Sequence, residues 1–427
     1  MEGFRRNLAD GLVLRCVRDE QDIEAYAAFN TAEIGAVQGS TCAHLLRHHP
    51  DVRPDYFLLV EDTRSGEIVS TTCLIPWRCQ YENVVLDVAM LEMVVTHPDY
   101  RKRGLVRAQV ERFHETVAAN RFDLAIIEGI PYYYRQYGYA YALDHWGSDS
   151  LPAWRVPAPV QDRSPEHRLR QATPADIDML SRAHRDAAVG LQLHTLRGAD
   201  YWRYLLEAAG YPVRVLEHTA TGEPVGYIVT TRRADHGVHI IEHGIMRQDV
   251  ALDVLTALRA EGAAEIGLGW PRESALVQLG RGLGSMPEYS DQWLVRPCDV
   301  PVFLMKIAPV LEGRLQRAGC GKVRTDIVLN LFRQAYVLHL EAGALTCVEP
   351  VGFVDASMGA DGGDLCIPPD AFVRLVMGYR GLDELRDAWP DIVVKPRSRY
   401  LLDALFPRVP SYVWMPYLDA GPSVWPH

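Results

Sequence analysis

"HPDYRKRGLVRAQVERF", His97–Phe113, changes its period in the middle. Ahead of it, "VLDVAMLEMVVTHP" alternates as a strand: Ala89, Leu91, Met93 and Val95 share one face, and Glu92, Val94 and Thr96 share the other. After Gly104 the apolar residues recur at helical spacing. Val106, Val110, Phe113 and Val117 form a core-facing stripe that runs to about Asn120. "DLAIIEG", Asp123–Gly129, then reads as a short strand with an unbroken apolar centre, as expected in a sheet covered on both faces. Strand, basic turn, helix and strand make a βαβ crossover, which places the chain in the α/β class.

The turn carries Arg101, Lys102 and Arg103 directly before Gly104. A helix N-terminus has free backbone N–H groups and a partial positive charge of about half a unit, so cations there oppose the dipole unless an anion neutralises both. Gly104 has no Cβ to block an approaching oxygen, and Arg101 and Lys102 can reach a diphosphate. From the loop alone the alternative is a solvated helix cap.

The rest of the chain bounds the function class. With 427 residues, 48% of them hydrophobic, the chain is long enough for two or three domains. A net charge of -11 argues against a nucleic-acid partner or an anionic membrane surface and favours a cationic one. The eight cysteines are scattered, without C-x-x-C pairs or histidines at zinc spacing, and read as reduced thiols of a cytoplasmic protein with no metal. The first twenty residues lack the apolar run of a signal peptide, and no stretch of eighteen apolar residues spans a membrane.

An internal repeat organises the first two thirds. "FLLVEDTRSGEIVSTT" (Phe57–Thr72) and "VRVLEHTATGEPVGYIV" (Val213–Val229) are both hairpins closing on Gly-Glu, at one constant offset. Upstream, "LVLRCVRDEQDIEAY" answers "HRLRQATPADIDML", where Thr173, Pro174 and Asp176 start a helix. Between the copies, Ser150–Pro165 holds four prolines, which forbid a continuous helix or a central strand and mark a linker. A second break near Arg296–Pro301 precedes a helix, hairpins around "EAGAL" and "GADGGDL", and two short helices near Pro369–Trp389. The expected domains are therefore 1–150, 151–297 and 298–427, the last of α+β type.

The second copy lacks the basic turn, and Asp249 at its helix start would repel a phosphate. "LGRGLG" (Leu279–Gly284) reads as a helix end. "HIIEH" (His239–His243) matches a zinc-peptidase pattern, but Ile240 and Ile241 favour a strand, which holds the two histidines about 13 Å apart. His339 stands alone in a strand-like run and reads as a satisfied or surface histidine.

The segment from Val94 to Leu143 resembles the core of the GNAT superfamily of N-acetyltransferases, whose R/Q-x-x-G-x-G/A loop holds the pyrophosphate of acetyl coenzyme A. The layout of the whole chain is similar to the Eis (enhanced intracellular survival) type: an active GNAT unit, a degenerate second one and a sterol-carrier-like C-terminal unit. The resemblance implies two tandem GNAT folds with mixed central sheets, and a homo-oligomer, a homohexamer in that type. It places the coenzyme on Val94, Val95, Thr96, Arg101, Lys102, Arg103, Gly104, Leu105 and Val106. Val106 departs from the usual Gly or Ala. Tyr134, ahead of Gly138-Tyr139, falls at the position of the family's general-acid tyrosine; the reading from residues alone is amphipathic packing of Tyr132, Tyr133, Tyr134 and Tyr137. The base is either Glu92 through water or, as proposed for the Eis type, the terminal carboxylate, here on His427. The expected activity is direct acetyl transfer to a primary amine of a small molecule or peptide: an aminoglycoside, a polyamine or a lysine side chain. Two rivals stand beside it, a catalytically silent coenzyme A binder and a lipid carrier acting through the C-terminal unit.

Overall fold

Residues up to 144 supply β1 (Arg5–Asn7), β2 (Leu12–Cys16), α1 (Glu20–Glu33), α2 (Ala36–His48), β3 (Phe57–Asp62), β4 (Glu67–Tyr81), β5 (Val84–Thr96), α3 (Leu105–Ala119), β6 (Leu124–Ile127) and β7 (Ala140–Asp144). The computed structural model describes residues 4–130, 132–145, 147–158, 165–232, 236–269, 271–288, 291–356 and 362–416. The crossover forms as its periodicity requires. Strands β5 and β6 pair in parallel, Val88 to Leu124 and Met90 to Ile126. Helix α3 buries Val110, Phe113 and Val117 against β4 and β5, while Val106 is only half-buried and Leu105 fills the first turn.

The next stretch contains β8 (Ser148–Pro152), β9 (His167–Gln171), α4 (Ile177–Ala187), β10 (Leu193–Thr195), α5 (Ala199–Arg203), β11 (Val213–His218), β12 (Pro224–Arg232), β13 (Val238–His243), α6 (Gln248–Ala260), β14 (Glu265–Gly269), α7 (Ala275–Gly282), β15 (Met286–Pro287) and β16 (Gln292–Pro297). The Asp176 carboxylate accepts from the Thr173 N–H at 2.8 Å, closing the helix start read from the sequence. His239–His243 is a strand, and "LGRG" ends α7.

The first sheet runs β1-β2-β3-β4-β5-β6-β16-β7 and the second β15-β8-β14-β13-β12-β11-β9. Beginning at β2 and at β9, the two orders correspond position by position, with one exchange. Strand β16 sits between β6 and β7 of the first sheet, and β8 sits between β14 and β15 of the second. The proline-rich stretch thus opens inside a sheet rather than in a linker. Pro152 is tolerated because it is the last residue of β8, opposite Glu265.

The last sheet, β19-β18-β17-β20-β21, is built from β17 (Thr325–Asn330), β18 (Ala335–Glu341), β19 (Ala344–Gly352), β20 (Leu365–Cys366) and β21 (Val393–Val394). It is flanked by α8 (Val300–Lys306), α9 (Ala308–Arg317), α10 (Pro369–Val376), α11 (Leu382–Ala388) and α12 (Pro396–Leu405). One apolar core runs through β4, β5, α3, β17 and α10, so the last unit packs against the first sheet. No helix among the described residues is long and apolar enough to cross a membrane, and all eight cysteines are unpaired.

Candidate active site

Two backbone irregularities build the site. Beyond Met90 and Ile126 the β5–β6 ladder stops, while β5 continues to Thr96. The β5 edge from Leu91 onward therefore keeps backbone donors and acceptors that no strand among the described residues takes up from that side. Within this stretch Met93 adopts φ +52°, and the register against β4 slips from Cys73–Glu92 to Thr71–Val95. This is a β-bulge. The extra residue shifts the alternation: Glu92 now shares a face with Val95, not with Val94 and Thr96 as simple period-two counting expects.

The two faces then differ in their partners. On one, the Thr96 hydroxyl lies 2.8 Å from the Ser70 hydroxyl, which also donates to the Val95 carbonyl at 2.7 Å and meets Gln109 of α3 at 2.8 Å. On the other, the Thr71 hydroxyl reaches the Met93 carbonyl at 3.2 Å and the Asn30 side chain of α1 at 3.3 Å. Ser70, Gln109 and Asn30 carry no sequence signal. They are recruited by strand pairing and helix packing across more than twenty positions.

The basic turn caps α3 in left-handed backbone. Lys102 has φ +62° and Gly104, the N-cap, φ +76°. A Cβ at Gly104 would meet nothing within 4 Å, so this glycine is required by its backbone conformation, and the space before the helix is open. Arg101, Lys102 and Arg103 are exposed, and none of them pairs with a carboxylate among the described residues. Arg101 donates from Nε to the Thr96 carbonyl at 3.4 Å, which ties the turn to the end of β5. Arg103 lies over the Tyr100 ring at 4.7 Å. Three cations without a carboxylate partner among the described residues thus precede the N-terminus of a fifteen-residue helix, a place where free backbone N–H groups favour an anion.

Tyr134 lies on a 3-10 turn, Tyr133–Tyr137, between left-handed Tyr132 (φ +68°) and Gly138 (φ +85°). It is 5% exposed. Its ring rests on Gly129, where any Cβ would collide with it, and it meets the rings of Tyr133, Tyr137 and Tyr139 at 5.1, 6.4 and 6.3 Å. Burial first, and then the Glu92 charge, push the phenol well above its usual range, so Tyr134 keeps its proton at neutral pH. Glu92 also raises the thiols of Cys42 and Cys73, both already lifted by burial. The Glu92 charge therefore acts on the Tyr134 phenol, a proximity that spacing along the chain does not reveal. His427 lies outside the described residues; the chain before it is bound as far as Pro416, whose carbonyl accepts from the Tyr201 hydroxyl at 2.8 Å.

Residues 24–142, the span holding Glu92, Thr96, the basic turn and Tyr134, match the family described as Acetyltransferase (GNAT) domain. Among solved structures, a conserved protein from Enterococcus faecalis V583 described as a probable N-acyltransferase is similar at a TM-score of 0.70 and 12% identity, over 94% of this chain and 99% of its own. A GCN5-related N-acetyltransferase from Anabaena variabilis ATCC 29413 gives 0.67 and 13%, over 95% and 99%. Eis1 from Mycobacterium abscessus gives 0.61 and 15%, over 94% and 98%. At these identities the shared property is the fold, and it extends over nearly the whole chain. No curated protein matches the sequence.

Proposed function

We propose that this protein is an acetyl-coenzyme-A-dependent N-acetyltransferase that passes acetyl directly to a primary amine, with Tyr134 as general acid. The observation that carries the reading is one βαβ unit and the turn that follows it, which together bear three elements: the cations at the α3 mouth, the edge of bulged β5 that no strand among the described residues takes up, and a buried, protonated tyrosine within reach of the Glu92 charge. The backbone at Arg101–Val106 would hold the diphosphate, and the β5 edge at Val94–Thr96 the pantetheine arm. A fixed backbone N–H there would stabilise the oxyanion as it develops.

In the step itself the amine nitrogen attacks the thioester carbonyl. The C–N bond forms as the C–S bond breaks, Tyr134 gives its proton to the departing sulfur, and Glu92 receives the ammonium proton through water. The terminal carboxylate of His427 is the alternative base. Direct transfer is supported by the thiols of Cys42 and Cys73: both stay protonated at neutral pH, which withholds the thiolate that a covalent intermediate needs.

The second sheet, with the same strand order and no cationic turn, is read as a degenerate GNAT unit, and the C-terminal unit as sterol-carrier-like. Eight unpaired cysteines support a reducing, cytoplasmic setting. The acidic balance of the chain favours a polycationic acceptor, such as an aminoglycoside, a polyamine or a lysine-bearing peptide. The test is release of free thiol from acetyl coenzyme A on adding a panel of these amines. Coenzyme-dependent thermal stabilisation without thiol release from any of them would replace the enzyme by a silent binder.

A further inference from the structure

The turn that carries Tyr134 is a 3-10 turn of five residues, entered through left-handed Tyr132 and left through left-handed Gly138. Such turns have poorer hydrogen-bond geometry than an α-helix, so contacts from outside decide where they sit. Inside it the Arg135 carbonyl accepts from the Gly138 N–H at 3.0 Å, and the Tyr134 carbonyl from the Tyr139 N–H at 3.4 Å. The chain then enters β7, which ends the first sheet and has one edge that meets no strand among the described residues.

Helix α10 of the C-terminal unit packs against β7 and reaches the turn before it. Three polar contacts join the two segments in chain order. The Arg135 guanidinium lies 3.3 Å from the Asp370 carboxylate, in the first turn of α10. Arg374, one helical turn further on, donates from Nε to the Tyr141 carbonyl at 2.9 Å, and its guanidinium lies 4.7 Å from the Trp389 ring. Tyr379, just past the helix, donates its hydroxyl proton to Asp144 at 3.3 Å. Residues 370, 374 and 379 thus meet 135, 141 and 144 as a clasp. The clasp is anchored in turn: the Val376 carbonyl accepts from the Tyr81 hydroxyl at 2.5 Å and from Gln192 Nε2 at 2.8 Å, while Ala371, Phe372 and Leu375 are buried.

We propose that α10 positions the general acid: Asp370 through Arg135, and Arg374 through the Tyr141 carbonyl, fix the turn on which Tyr134 stands. The inference rests on the reading of Tyr134 as the acid. It makes the C-terminal unit part of the chemical step, because a displaced phenol no longer meets the departing sulfur at hydrogen-bond distance. Asp370 and Arg374 are positioning residues, acting through the turn.

The experiment measures thiol release from acetyl coenzyme A by the full chain, with spermidine, kanamycin or a lysine peptide as amine, whichever the wild type turns over fastest. The Arg135 and Asp370 side chains are 34% and 31% exposed, so Asp370→Asn should lower kcat by only about threefold. Arg374→Met, which removes a charged donor, should lower it by about tenfold. KM for the amine and the coenzyme dissociation constant should stay within about twofold of wild type. The exchange Arg135→Asp with Asp370→Arg should recover most of the rate that either single exchange loses. In a Tyr134→Phe background neither Asp370→Asn nor Arg374→Met should lower kcat further, since no acid remains to be placed; a general loosening of the fold would reduce it again by the same factor. Reduced turnover in Tyr134→Phe beside wild-type kcat in both clasp variants overturns the clasp alone. Equal losses with and without Tyr134 overturn it too. Unaltered turnover in Tyr134→Phe, or no thiol release with any of the three amines, overturns the reading of the acid and the clasp with it. If Arg374→Met does not fold, the Asp370→Asn variant and the charge exchange carry the same test.

Discussion

Replacing Arg197 by Met would expose how the C-terminal segment is held. Arg197 forms a two-pronged pair with Glu242 of β13 at 2.5 and 2.6 Å, and their side chains are 0% and 4% exposed. The Tyr227 hydroxyl donates to the same carboxylate at 2.8 Å, and His184 lies 3.2 Å from that hydroxyl. Burial alone would raise the Glu242 carboxyl; the Arg197 charge beside it brings the net shift below the ordinary range. The guanidinium also stacks 4.7 Å from the Trp414 ring and donates to the Trp414 carbonyl at 3.3 Å. Arg197→Met leaves Glu242 buried with Tyr227 as its remaining donor, a loss of about 3–5 kcal/mol. Arg197→Met with Glu242→Leu removes both charges and should recover most of it, because the desolvation penalty of a buried pair offsets much of its Coulombic gain. Urea unfolding followed by tryptophan fluorescence reads the energies, and limited proteolysis at residues 409–416 reads release of the segment. The segment would retain the Thr195 hydroxyl on the Trp414 carbonyl at 3.2 Å and Trp293 Nε1 on the Val413 carbonyl at 3.2 Å, so cleavage should accelerate without the chain unfolding. A single variant within about 1 kcal/mol of wild type, or a double variant no better than the single, would refute the reasoning.

Tyr134→Phe should lower turnover by about 10² while leaving the coenzyme dissociation constant unchanged, and an unaltered rate would remove Tyr134 from the chemistry. Gly129→Ala places a methyl group in the Tyr134 ring, so it should reduce turnover with little change in coenzyme affinity; the same two assays check it. Gly104→Ala meets open space but forces an L side chain to φ +76°, at about 1–2 kcal/mol, and should weaken coenzyme binding more than it lowers the melting temperature. Burial depresses His49, His114, His194 and His243 to about 4 each. Between pH 6.5 and 4 the unfolded chain then binds more protons than the folded one, so melting temperature should fall as pH drops through that window. A flat profile from pH 7 to 5 would contradict it.

Short-range pattern was enough for the crossover of β5, α3 and β6, the paired hairpins, the Thr173 helix start, the strand at His239–His243 and the cationic turn, because each follows from periodicity or turn chemistry over at most some twenty residues. The candidate site was legible to the same depth as a proposal, since the turn and Tyr134 lie in one contiguous stretch. What that stretch could not disclose is the bulge at Met93, since a one-residue slip is invisible until a partner strand counts against it, and the slip moves Glu92 to the other face. Nor could it disclose that β16 and β8 change places between sheets, or that Arg197 faces Glu242. Those arrangements join residues far apart in the chain. They arise where buried backbone must find hydrogen-bond partners and buried charge must find its opposite, and only the folded whole determines which distant segment supplies them.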